Sequence, residues 1–325
     1  MNVFHYKCQL NTRIKKLCAL ALLVIFPFTV MAINRIIHCD VEAERRTVRT
    51  PAGLYIQKYN QHIDVRSYRN LSQACSYVDG HLHCPDIRSK GETMLRQVQL
   101  VLTRMLKVID VICEKHSIHY WLMSGTLLGA YRDKSIIKWD NDADIGMMES
   151  DYARFEKIVR SELPEDLFYQ DGSDEPSYAK TKSCVAKLRD RNSCYCHCMR
   201  TGCDYQDGLQ IDIFVFKTVE VHGKRDMLVS VTNGRFKIPF EYVIPPSRIV
   251  MEGLEFSAPK QTLKVLETLF GQNFLTPLKN QCPAYGFVAM PWYSCEYINS
   301  LPADKKRKIL VDSMIHDSWF FWYFG

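Results

Sequence analysis

In the stretch Trp139-Asp140-Asn141-Asp142-Ala143-Asp144-Ile145, three carboxylates alternate with other residues and lead into an apolar run. Read as a strand over 139–147, it points all three to one face, at intervals of roughly 6.5–7 Å, two strand rises each. Like charges at that spacing raise one another's pKa and oppose folding unless water or a cation neutralises them. The chain must therefore fold with this face opening on solvent or on a metal. A hard divalent ion with oxygen ligands, Mg²⁺ or Mn²⁺, is the natural neutraliser. Taken alone, the pattern describes a solvated edge strand equally well. A fourth acid, Asp212, lies between Ile211 and Ile213, where an ionised carboxylate is costly without a metal or a basic partner.

The surroundings sharpen the reading. A short strand is expected over 120–123, followed by Ser124-Gly125-Thr126 and the helical turn LLGAYR. Backbone N–H groups at a glycine-containing helix start can cradle phosphate oxygens, and carboxylate-held metals on neighbouring strands can clamp the same phosphates. Upstream, Ser89-Lys-Gly-Glu92 has a capping-box pattern, opening a run with Met94, Val98, Val101, Met105, Val108 and Ile112 at helical spacing. A third strand is expected over 211–216. Another amphipathic helix starts at Pro259 and stops at Gly271, with Leu263, Leu266 and Phe270 on one side. Helices interleaved with short strands predict a mixed α/β domain over 89–325.

At these residues the chain resembles the LicD and fukutin-related proteins. The likeness is carried by WLMSGTLLGAYRDKSIIKWDNDADIGM, then by VAKLRDRNS, DGLQIDIFVF and APKQTLKVLETLFGQNFLTP, in the family's order over about residues 90 to 280. The resemblance implies a nucleotidyltransferase-like mixed sheet flanked by helices. It also implies transfer of a phosphorylated alcohol (ribitol phosphate, glycerol phosphate or phosphocholine) from a CDP-linked donor to a glycan. Carried over by motif, Ser124, Gly125 and Thr126 would hold donor phosphate. Asp142 and Asp144 would bind metal, and Asp212 would be metal ligand or base. Arg132, Lys187 and Arg189 fall where the family places basic residues near phosphates. Lys138 stands where the family usually has Pro, a departure that touches the turn and none of the acids. Two other classes remain open at this point: a metal-dependent glycosyltransferase, which also uses an Asp-x-Asp pair, and a noncatalytic lumenal glycan-binding protein.

Leu17–Ile33 is a 17-residue uncharged run preceded by Arg13, Lys15 and Lys16. It reads as a signal-anchor at the short end of the spanning range. The preceding positive charges would hold residues 1–16 in the cytosol and send the body to the lumen of the Golgi or endoplasmic reticulum. Val30-Met31-Ala32 keeps a cleaved signal peptide open as the alternative. Residues 34–88 read as a stem, with an N-glycosylation acceptor at Asn70-Leu71-Ser72. Of the formal charge of +6, four charges come from Lys7, Arg13, Lys15 and Lys16, leaving +2 for the body. A nearly balanced body argues against a nucleic-acid partner. With 13 cysteines, a lumenal body would form disulfides, and Cys75 and Cys84 could close a local loop. Cys184, Cys194, Cys196, Cys198 and Cys203, with His197 among them, could hold zinc, though an oxidising lumen favours disulfides. The closing WFFWYF reads as core or partner contact rather than a sugar platform.

Overall fold

The computed structural model describes residues 67–72, 74–138, 140–174, 184–197, 204–221, 224–232, 234, 236–275 and 287–317. The anchor segment, Cys198, Cys203 and WFFWYF lie outside them. Among the described residues no helix is long and apolar enough to cross a membrane.

A seven-stranded mixed sheet carries the fold. Its strands are β3 (Tyr120–Leu122), β4 (Ala143–Met148), β5 (Leu167–Asp171), β6 (Ala186–Asp190), β9 (Gln210–Val221), β10 (Lys224–Ser230) and β11 (Lys237–Pro239). The long β9 is the hub: β4 runs parallel along one edge, while β6 and then β10 pair antiparallel along the other. Two small strand pairs, β1–β2 (Ser76–Val78, His81–His83) and β12–β13 (Ser247–Met251, Leu254–Ala258), and a three-stranded sheet of β7 (Cys194–His197), β8 (Asp204–Gln206) and β14 (Phe287–Met290) complete the strands among the described residues.

Alternation sorts the sheet's two faces. Ala143, Ile145 and Met147 of β4 lie beside Ile211, Ile213 and Val215 of β9, all buried. Asp144 and Asp212, the next residues in register, belong to the other face.

Ahead of β1 comes the short α1 (Tyr68–Leu71), and then the main core helix, α2 (Met94–Lys115). Val98, Val101, Met105, Val108 and Ile112 of the expected stripe are fully buried, and so are Leu100, Leu102, Leu106 and Ile109. The middle of α2 is thus covered nearly all round. Its cap differs from expectation: Thr93 Oγ1 accepts from Arg96 N–H at 3.1 Å, while Ser89 sits in a separate 3₁₀ turn. Both residues are good caps, but Gly91 breaks the helix path between them.

The remaining helices are α3 (Ser124–Arg132), α4 (Glu149–Glu162), α5 (Phe240–Val243), α6 (Thr262–Phe270), α7 (Cys295–Ser300) and α8 (Ala303–Asp317). In α6 the core side is Val265 and Leu266, while Leu263 and Phe270 are exposed. The helix starts three residues after Pro259, and of the expected side only Leu266 reaches the core.

Residues 67–88, read from the sequence as the end of a stem, pack on this body. Tyr68, Leu82, Cys84 and Ile87 are buried. The backbone N–H of Tyr68 donates to the buried carboxylate of Glu252 at 3.0 Å, which also receives both terminal nitrogens of Arg96. A Cys75–Cys84 disulfide closes the β1–β2 hairpin. Asn70 is solvent-exposed on α1.

Candidate active site

The three alternating acids are not one strand. β4 begins only at Ala143, so Asp144 lies in the sheet while Asp140 and Asp142 stand in the loop before it. That loop needs no ladder, because the buried Gln99 side chain donates to the carbonyls of Ile137 and Asp140 at 3.1 and 3.2 Å. Asp140 N–H turns back to Ile137 O at 2.8 Å.

The glycines of the signature explain how the loop approaches α3. A Cβ on Gly129 would lie 2.5 Å from the carbonyl oxygen of Ser135, and one on Gly125 would lie 2.9 Å from Asp140 Oδ2. Bare backbone at these two positions lets the loop lie against the helix and brings the Asp140 carboxylate to its first turn. Thr126 is buried, and its Oγ1 accepts from Asp144 N–H at 2.8 Å. Met123 N–H donates to the Asp144 carbonyl at 3.0 Å. Ser124 starts α3 in the left-handed region at φ 47°.

Register completes the cluster. Asp144 and Asp212 are direct partners across the parallel β4–β9 pair, on strands about 4.8 Å apart. Lys187 faces Asp212 from β6 on the other side, and its Nζ is hydrogen-bonded to Asp212 Oδ1. Arg189, two residues along β6 and buried, donates from Nε to Gln170 Oε1 at 2.6 Å and from Nη1 to the Gly208 carbonyl at 2.9 Å. Opposite it, the buried Gln210 Oε1 has no hydrogen-bond partner among the described residues. It shares the face of the acids.

Each of the four carboxylates keeps some solvent contact while crowded by protein. Burial first, then the Asp142 charge and a hydrogen bond with Asp142, push Asp140 well above the ordinary carboxylate range. Burial and the Asp212 charge raise Asp142. Burial followed by Asp142, Asp212 and Asp140 raises Asp144, against a smaller opposing effect of Lys187. The hydrogen bond between the two carboxyls raises Asp140 and lowers Asp142. Burial and the same acids also raise the Tyr195 hydroxyl, which marks Tyr195 as a neighbour of the site. Sequence reasoning passed over Tyr195 because it sits in the Cys-rich run. It also passed over Gln170 and Gln210, for which only their register opposite Lys187 and Arg189 could have spoken.

Arg132 lies apart. It ends α3, eight residues and roughly 12 Å along the axis from Ser124, and its guanidinium is held by Asp133 at 2.9 and 2.7 Å. Of the Cys-rich run, Cys194 pairs with the distant Cys295, and Cys184 and Cys196 are buried. Among the described residues no three His, Cys, Asp or Glu side chains already form a chelating cluster.

A metal at the acids is nevertheless chemically fitting. The donor set is oxygen alone, as hard divalent ions require. Burial and the neighbouring acids push Asp140, Asp142 and Asp144 upward, and a bound cation would favour their ionised form.

Residues 117–261 match the family model described as LicD/FKTN/FKRP, nucleotidyltransferase domain. The lipopolysaccharide cholinephosphotransferase LicD of Haemophilus influenzae is 41% identical over 71 residues, 22% of this chain and 27% of that protein. The human ribitol-5-phosphate transferase FKTN is 24% identical over 178 residues, 54% of this chain and 33% of that protein. The matches thus span a third or less of these relatives' own length. The region that matches the LicD/FKTN/FKRP nucleotidyltransferase model contains α3, the acid loop, β4, β6 and the part of β9 that carries Asp212, so the candidate site lies wholly within the stretch similar to that family.

Proposed function

We propose that the chain transfers a phosphorylated alcohol from a CDP-linked donor to a glycan hydroxyl, with Mg²⁺ or Mn²⁺. The observation that carries this is the register of Asp144, Asp212 and Lys187 across three adjacent strands, beside a loop that adds Asp140 and Asp142. Two relatives named as transferases of phosphocholine-type and ribitol-phosphate groups support it.

Asp142 and Asp144, with Asp212, would hold the cation, which when bound neutralises charge on the donor diphosphate and the departing CMP. Lys187 is hydrogen-bonded to Asp212 Oδ1; in the alternative to its ligand role, Asp212 would take the proton of the attacking hydroxyl. The new bond runs from the acceptor oxygen to the alcohol phosphate phosphorus, and the bond from that phosphorus to CMP breaks. Ser124, Gly125 and the start of α3 offer N–H groups to phosphate oxygens. Thr126 and Gln99 act one step back, holding Asp144 and the acid loop in place.

The test is release of CMP from CDP-ribitol, CDP-glycerol or CDP-choline by the purified chain with a mixed glycan acceptor. CMP should appear with one of these donors and stop on chelation of divalent ions. UDP released from a sugar nucleotide instead would move the reading to a glycosyltransferase, and no turnover with any donor would favour a binding protein.

The same reading places the body in the lumen of the Golgi or endoplasmic reticulum, anchored through residues 17–33. In intact vesicles the body should resist protease while an N-terminal tag is cut. Digestion of the body without detergent would refute this topology.

A further inference from the structure

Away from the acids, a cleft of about 550 Å³ is lined by Asp86, Arg88, Asn192, Trp292, Tyr293, Ser294 and Tyr297. Its size falls within the range of small-molecule sites. Trp292, Tyr293 and Tyr297 are 50%, 38% and 49% exposed, an unusual concentration of aromatic surface. These side chains are fixed in place. Tyr293 and Tyr297 stack with centroids 5.9 Å apart at an interplanar angle of 13°. Trp292 Nε1–H donates to Gln97 Oε1 at 2.7 Å, and the Arg88 guanidinium lies 5.9 Å from its ring centroid. Ser294 Oγ caps α7 by accepting from Tyr297 N–H at 3.1 Å. The next residue, Cys295, is bonded to Cys194 of β7. Neither folding nor core packing requires rings held half in water in defined orientations. Preorganisation of this kind lowers the ordering cost of binding a ligand against them.

The charge of the cleft narrows the ligand. Among the described residues that line it, Arg88 is the one cation, and its donors are committed: Nε to Asp86 at 2.6 Å, Nη2 to the buried Asp190 at 2.7 Å, and Nη1 to the carbonyls of Asn192 and Pro291. Among these lining residues no cation is left over for a phosphate or a carboxylate. What remains is flat aromatic faces beside an amide, a hydroxyl and a carboxylate. A pyranose ring offers the complement, C–H bonds on one face and hydroxyls around its rim. We infer that this cleft is a binding site for a neutral oligosaccharide.

The inference deepens the proposed function, since a transferase to a glycan must hold its acceptor. Asn192 of the cleft is five residues from Lys187, at most about 18 Å of extended chain, within the reach of an oligosaccharide. Its test does not depend on turnover. Cellotetraose, xylotetraose, mannotetraose and chitotetraose would be titrated into the purified full chain, with binding read by calorimetry and by saturation-transfer NMR. At least one should bind. Trp292→Ala and Tyr297→Ala should each weaken that binding roughly tenfold or more, Trp292→Phe should retain most of it, and Asp142→Asn should leave it unchanged. Unaltered melting temperatures would show that the variants fold; if the alanine variants do not, Trp292→Phe and Tyr297→Phe against Trp292→Lys give the same comparison. Binding of none of the four, or binding that survives loss of either ring, would overturn the inference. Sugar binding without CMP release from any donor would remove the transfer reading and leave the cleft standing. CMP release with no sugar bound here would do the reverse.

Discussion

Asp142→Asn and Asp144→Asn should each lower turnover by at least about a hundredfold while leaving the protein folded. Asn keeps the shape of the side chain and removes the charge that a divalent cation needs. The metal-free variants should be as stable as the parent or more so, by roughly 1 kcal/mol for each unit of pKa elevation relieved. The sign of the pH dependence follows from the raised values of Asp140, Asp142 and Asp144. The folded state holds protons that the unfolded chain has released above about pH 4, so metal-free stability falls as pH rises from there. Mg²⁺ or Mn²⁺ should restore more stability the higher the pH, because binding displaces those protons. Melting temperatures from pH 5 to 8, with and without metal, read both effects. A structural acid behaves the opposite way: if the variants melt lower than the parent and turn over normally per folded molecule, the assignment is wrong.

The second large effect concerns Cys194 and Cys295. Their bond closes a loop across 101 residues of sequence, for which chain entropy alone gives about 4–5 kcal/mol and measured losses run at about 2–5 kcal/mol. Cys194→Ala and Cys295→Ala should each lower the melting temperature by roughly 5–20 °C. The double variant should be little worse than either single one, since both remove one bond. Reductant should destabilise the parent more than a strong zinc chelator does. One equivalent of zinc per purified chain, with a chelator effect exceeding that of reductant, would contradict this.

The parts of the structure legible in sequence are those where local pattern and tertiary environment agree. Tyr120–Leu122, the helix after it, the core of α2 and the strand carrying Asp212 all stand where periodicity put them. The acid loop was misjudged because alternation of acids mimics a strand, while the group that satisfies its backbone, Gln99, lies about forty residues upstream. The pairing of Lys187 with Asp212 was equally hidden. Both residues carried a role in the reading, but only the antiparallel register of β6 on β9 makes them partners. The Cys-rich run left its pairing open, and Cys194 reaches a partner 101 residues on, a distance no local pattern encodes. Exposed aromatics at 292–297 gave no periodic signal.

β9 is pinned along both of its edges. Sliding this strand by a single residue against β4 and β6 would turn Asp212 inward and bring Ile211 and Ile213 to the face that carries the acids. The burial of those two isoleucines therefore disfavours every register that displaces the carboxylate. Chemical competence at this position is inherited from the cooperativity of the sheet, so a gradually loosened site has little room to exist. Under rising denaturant, cation binding at the acids and protection of the β9 amides from hydrogen exchange should vanish in one transition.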